Sequence, residues 1–123
     1  MTRTRVFLTA TIGLTTLLLS SAPVRLAAHH GWSGYDDKNP QNLTGTIKTS
    51  GWENPHTYVD LDVSGKVWRV VLAPPARMEN RGMSKEMLKP GTKAMVMGYP
   101  NKTTSTELRA ERITIGDKTT ELR

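Results

Sequence analysis

Three histidines carry the clearest prospect of chemistry in this chain of 123 residues. His29 and His30 stand together where an apolar leader ends, and His56 closes the motif Asn54-Pro55-His56. Neutral imidazole is a good ligand for copper, zinc and nickel. A peptidase cut after Ala28 makes His29 the first residue, so its α-amine and ring lie within one residue of each other. With a pKa of about 8, that amine deprotonates readily under bound Cu2+, and amine and imidazole then supply two equatorial nitrogens. His56 is the third donor of such a site, and His30, Asp36 or Asp37 the fourth. A cut after Ala27 instead places His30 third, which also suits square-planar nitrogen ligation through backbone amides. The plain alternative is that terminal histidines are solvated and that His56, behind Pro55, caps a turn.

The other chemical groups are less specific. Met95 with Met97, and Met83 with Met87, are thioether pairs suited to Cu(I), though methionine more often fills irregular cores. Arg77 and Arg81 are four apart on a short helical stretch, and with Arg69 and Lys85 they form a potential anion site, against the commoner role of solvated surface charge. Trp52 lies two residues before Asn54 in one loop, so the two form a possible face for a glycan or partner. Trp68, inside a strand, is expected in the core. Cysteine is absent, which removes disulfides, thiolate nucleophiles and zinc-finger sites. The serines have no nucleophile elbow, Glu53 is a lone acid, and no glycine-rich phosphate loop appears. No catalytic assembly is visible, and the expectation is a binding protein without turnover.

The elements that must position these residues read mainly as β. Gly31–Asn42 has no apolar period and reads as an arm, with Trp32 and Tyr35 as anchors. Leu43–Thr49 alternates and is β-branched. Thr57–Val63 alternates sharply, with Val59, Leu61 and Val63 opposite Tyr58, Asp60 and Asp62. Ser64-Gly65-Lys66 turns into Val67–Leu72, a hairpin partner. Pro75 suits the first turn of a short helix through Asn80, stopped by Gly82. Ser84 is a cap for Lys85–Leu88, and Pro90-Gly91 closes that turn. Thr92–Gly98, Thr106–Ile115 and Thr119–Leu122 complete the strands. Glycines at Gly45 and Gly98 sit where small barrels bend sharply. The pattern predicts a mainly β, small OB-like antiparallel barrel of five to six strands with a short helical insert. An open antiparallel sandwich or roll is the alternative.

Arg3 and Arg5 precede a Thr-interrupted apolar run, Val6–Leu19, and small residues recur to Ala28. This is the pattern of a cleaved signal peptide over residues 1–28, too short for a transmembrane span of about 20 residues. Three of the 17 cationic residues, Arg3, Arg5 and Arg25, lie in this leader, which holds no acid. Its removal leaves 95 residues and lowers the net charge from +6 to +3. That is one compact domain with a weak pull toward nucleic acid. Residues 29–42 are then the arm and 43–123 the barrel, in a periplasmic or secreted protein.

His29-His30-Gly31-Trp32-Ser33-Gly34-Tyr35-Asp36 and Trp52-Glu53-Asn54-Pro55-His56 carry a resemblance. So do Leu72 to Met78 through Arg81-Gly82, Gly98-Tyr99-Pro100, and Glu107 to Ile113. Together they make the chain similar to a family of small exported bacterial proteins known as a domain of unknown function. The resemblance implies a secreted OB-like barrel and a cut before His29, and it brings no reaction with it. The resulting expectation is an exported module that binds a transition metal such as Cu(II) through His29, His30 and His56. Its alternative is a metal-free OB module of the cell envelope, with Trp52, Asn54, Arg77 and Arg81 facing a glycan or a protein partner.

Overall fold

A computed structural model describes residues 31–123. His29, His30 and the leader 1–28 lie outside the described residues. Six strands form one sheet: β1 (Gln41–Gly51), β2 (Tyr58–Val63), β3 (Lys66–Val71), β4 (Lys93–Pro100), β5 (Glu107–Ile115) and β6 (Lys118–Glu121). Their order is β3-β2-β1-β4-β5-β6, and β3 also pairs with β5. That extra pairing closes β1 to β5 into an OB-like barrel, with β6 added along the far half of β5. All neighbours are antiparallel except the closing pair, which is parallel over Arg69↔Glu107, Val70↔Leu108 and Val71↔Arg109.

The strands fall where alternation placed them. In β2, Val59 and Leu61 are fully buried while Tyr58, Asp60 and Asp62 are partly exposed. In β4, Ala94, Val96 and Gly98 face inward, and Lys93 and Met95 face out. Each fully buried branched side chain stabilises the fold by about 1.5–3 kcal/mol. The Val63-Ser64-Gly65-Lys66 turn joins β2 to β3, with Ser64 at φ 53° and Gly65 at φ 87°, a left-handed pair that suits a two-residue hairpin. Register slips at Ile47/Thr49 in β1 and Met97/Gly98 in β4 mark bulges, the devices that curl a sheet into a barrel.

Gly98 shows why closure needs a glycine. A Cβ there would collide with the Arg109 carbonyl oxygen and stand 2.8 Å from both the carbonyl carbon of Arg109 and the Cα of Ala110. Gly45 is pressed in the same way against the Asp62 carbonyl. Both are the glycines that the strand pattern marks as bends.

The insert between β3 and β4 is helix α1 (Pro75–Asn80), with Pro75 at its first position, followed by a 3-10 turn at Lys85–Leu88. Ser84 precedes that turn without a side-chain cap bond. Gly82, at φ 81°, ends α1. Met78, Met83 and Leu88 are each at most 1% exposed and plug the core. Met87 packs against it, so three of the four methionines between residues 78 and 95 serve packing. Met95 is the exception, 49% exposed. Among the described residues, no helix is long and apolar enough to cross a membrane.

Candidate functional site

The closing pair sets the site. Tyr58 pairs with Val71 and Val71 with Arg109, while Asp60 pairs with Arg69 and Arg69 with Glu107. Leu61, Val70 and Leu108 point into the core, so by alternation these two rows of three lie on the outer face of β2, β3 and β5. The β1–β2 loop projects Glu53, Asn54, Pro55 and His56 over one side, and Tyr35 of the arm covers another. The result is a cleft of about 250 Å³. Strands 2 and 3 with their neighbouring loops are where OB barrels generally receive ligands.

The arm is ordered along this face. Tyr35 makes an isolated bridge with Asn101, the Asp36 amide donates to Pro100 O at 2.8 Å, and the Lys102 amide donates to Gly34 O at 2.9 Å. Tyr35 Oη donates to Glu107 Oε2 at 3.0 Å, and Asn101 Nδ2 donates to the same oxygen at 2.6 Å. Burial, and then the Glu107 bond and charge, raise the Tyr35 pKa, so the phenol remains protonated. Trp32 packs edge-on to Tyr99 at 5.9 Å, with the guanidiniums of Arg109 at 4.4 Å and Arg123 at 4.7 Å over its ring. The two anchors named from sequence hold the arm down.

Arg109 is the unexpected member. Its position on the outer face predicts exposure, yet it is only 8% exposed because the arm lies over it. Its Nη1 donates to the Gly31 carbonyl oxygen, and its plane stacks on Trp32. No ion pair reaches it: among the described residues the ion pairs are Arg69–Asp60 and Arg112–Glu121. Burial, partly offset by Tyr35 and reinforced by Arg77 and Arg123, lowers its pKa, but a guanidinium stays charged in proteins. Among the described residues this buried cation has one hydrogen-bond partner, a carbonyl, which is an incomplete arrangement.

Arg69, by contrast, is satisfied. Its Nε donates to Asp60 Oδ1 at 2.6 Å, its guanidinium stacks 4.0 Å over Tyr58, and Thr49 donates to Asp60 Oδ2 at 2.6 Å. Partial burial raises the Asp60 pKa, but the bonds from Arg69 and Thr49 outweigh it and hold the carboxyl below its ordinary value.

His56 sits in the cleft with Nδ1 buried and, among the described residues, without a hydrogen-bond partner. Burial and the charge of Arg109 lower its pKa, a bond with the Leu72 backbone opposes them, and Arg77 adds to the lowering. The imidazole is therefore neutral at pH 7 and keeps a lone pair. The neighbouring Thr57 hydroxyl is likewise buried and unpartnered.

The sequence-derived site residues are divided by the fold. Asn54 and His56 line the cleft. Trp52 does not; it packs against the core and is half-buried. Trp68 also packs there, with Lys66 5.0 Å over its ring. Arg77 and Arg81 do not join Arg69 in an anion site. Arg77 Nη1 donates to Leu122 O at 3.3 Å and Arg81 Nη1 to Glu121 O at 2.8 Å, tying α1 to the chain end at β6. His29 and His30 lie outside the described residues. Among the described residues, no group of three or more histidine, cysteine or acidic side chains is gathered to hold a metal ion. Residues 59, 70 and 108 alternate as strand cores should, but the arm's coverage of Arg109 leaves no local pattern. The signal for it was the pair of aromatic anchors in a segment without its own core.

Comparison with known proteins agrees with the architecture. A family model described as a family of unknown function, DUF6152, matches residues 17–109. The chain belongs to DUF6152. The match spans the arm, the β1–β2 loop with His56, and the start of β5 as far as Arg109. A search of curated proteins finds no match. Among solved structures, the chain is similar to the Stn1–Ten1 complex of S. pombe, with TM-score 0.49 and 25% identity over 64% of this chain and 59% of that one. It is also similar to TiaS in complex with a tRNA, AMPCPP and agmatine, with TM-score 0.50 and 17% identity over 66% of this chain and 19% of that one. This DUF6152 chain thus spans just under three-fifths of the first structure's length and a fifth of the second's. The second likeness is one of fold alone.

Proposed function

We propose that this DUF6152 chain is a binding module without turnover, and that its ligand seat is the cleft between the β1–β2 loop, β2, β3 and β5. The carrying observation is a pair of groups unmet among the described residues: a buried guanidinium with one carbonyl partner and a buried imidazole nitrogen with none. Buried polar groups are normally satisfied, and a ligand that satisfies both recovers what burial costs. The cleft is somewhat smaller than the roughly 300–1,000 Å³ of sites for drug-sized ligands, which suits one small polar molecule or one residue of a glycan or a partner protein. Chemical-shift perturbation with small sugars, organic acids and amino acids tests this. Shifts confined to Asn54, His56, Tyr58 and Arg109 are expected; shifts elsewhere, or none, refute it.

A second reading is favoured by one specific contact. Arg109, which lines the cleft, donates to the carbonyl of Gly31, the first described residue of the arm. If residues 1–28 are a signal peptide removed on export to the periplasm or the medium, His29 and His30 start the mature chain. The three histidines are then the proposed ligands for Cu(II). The positive charge of Arg109 opposes a cation at His56 alone, so such a site depends on the terminal amine. Mass spectrometry of the exported terminus tests the cut. Cu(II) affinity tighter than about 1 µM, lost in His29→Ala or behind an added N-terminal Met, supports the metal; affinity indifferent to both refutes it.

A further inference from the structure

We infer that the group the cleft recognises is a single carboxylate, received by the guanidinium of Arg109. This rests on the cleft being the ligand seat. The pairing of charges in the lining leaves one cation open to an anion among the described residues. Arg69 is neutralised by Asp60 at 2.6 Å, and Glu107 is engaged by Tyr35 and Asn101. That leaves Arg109 as the cation of the cleft without an acid within salt-bridge reach among the described residues. Glu53 and Glu107 on the same walls oppose any anion, and a dianion such as phosphate about twice as strongly as a single carboxylate.

Geometry narrows the class further. A guanidinium presents five donors in a planar fork that matches a planar carboxylate. One nitrogen, Nη1, reaches Gly31 O, and stacking on Trp32 at 4.4 Å holds the plane. Arg109 is thereby oriented before any ligand arrives. Around it, the exposed Asn54 amide has no partner among the described residues and the Tyr58 ring forms part of the wall. One carboxylate with hydroxyl groups beside it satisfies all of these, whether it comes from an acidic sugar residue or from a free organic acid.

The experiment uses the processed protein in EDTA, so that a bound metal plays no part. D-glucuronate, D-glucose, acetate and inorganic phosphate are titrated while the Arg109 Nε–H signal and the amide spectrum are followed. Glucuronate is expected to saturate, to bind at least about tenfold more tightly than glucose, and to shift Arg109 Nε–H. Acetate binding as tightly as glucuronate assigns the carboxylate to a free acid; weaker acetate binding assigns it to an acidic sugar. Arg109→Lys keeps the charge and loses the fork, and is expected to weaken glucuronate about tenfold or more. Should that variant fail to fold, Asn54→Ala, at an exposed loop position, is expected to weaken glucuronate several-fold with its melting temperature unchanged. Equal binding of glucose and glucuronate, a preference for phosphate, or an unmoved Arg109 signal overturns the inference while leaving the cleft as a seat. Silence of the cleft toward every probe to about 10 mM removes both readings.

Discussion

Gly98→Ala is the sharpest test of the closure that builds the cleft. Gly98 has no positive φ, so alanine meets no conformational penalty there and the cost is purely steric. The new Cβ would lie 2.8 Å from two carbon atoms of the β5 backbone, Arg109 C and Ala110 Cα, where carbon pairs prefer about 3.5–4.0 Å. The obstruction is main chain on the partner strand, so no side chain can swing away. β4 and β5 must separate by several tenths of an ångström at the Met97/Gly98 bulge. Overpacking of this kind costs about 1–3 kcal/mol, and the rigidity of both neighbours places this case near 3 kcal/mol. For a domain of this size each kcal/mol moves Tm by about 4–8 °C, so a fall of about 12–24 °C is expected by calorimetry. The strand displaced is the one that carries Arg109, so perturbation of the Arg109 side-chain signal should accompany it. Gly34→Ala is the control: its added Cβ has no atom within 4 Å, and less than about 0.5 kcal/mol is expected. Equal melting of the two variants would show that Gly98 is not a closure point.

Three other outcomes follow from particular contacts. The folded-state pKa of His56 is depressed by burial and by Arg109, so the unfolded chain binds more protons; stability is fully present above the unfolded value of about 6.5 and declines as pH falls through the folded one. His56→Gln should flatten the Tm profile between about pH 7 and 5, and an unchanged profile refutes the assignment. Asp60 is also depressed, so its contribution is present above about pH 3.9 and lost as pH falls further. Because the Arg69 end is nearly half exposed, Asp60→Asn should cost no more than about 1 kcal/mol at pH 7 in urea unfolding; 3 kcal/mol would refute the exposed-pair reading. Arg77→Ala with Arg81→Ala removes the bonds to Leu122 O and Glu121 O. About 0.5–1.5 kcal/mol per bond should appear as faster amide exchange in β6, and unchanged protection there contradicts the tie.

The barrel was legible because its information is local. Alternation in Thr57–Val63, the Ser64-Gly65 turn, Pro75 at a helix start, and two bend glycines each constrain a few neighbouring residues. The parallel β3–β5 pair is different. It joins residues about 38 apart, and no pattern within either strand announces it. That pair makes neighbours of Val71 and Arg109, so the cleft was only half visible: Asn54 and His56 were found in their loop, and Arg109 was not. Trp52, expected on a loop face beside Asn54, packs half-buried against the core instead of lining the cleft. Arg77 and Arg81 misled because spacing of four identifies a shared helix face without saying what the face meets. Here it meets backbone carbonyls.

Those two arginines also bear on how molecules of this protein meet one another. β6 is the outer strand of the sheet, and an outer strand with free carbonyls is a template for a strand from a second copy. The guanidinium of Arg81 occupies the Glu121 carbonyl and that of Arg77 the next one, while Lys118 Nζ reaches across to Gly82 O. An incoming chain finds the Glu121 acceptor already taken and positive charge beside it. The helical insert thus covers part of the sheet edge at which pairing with a second copy would have to start.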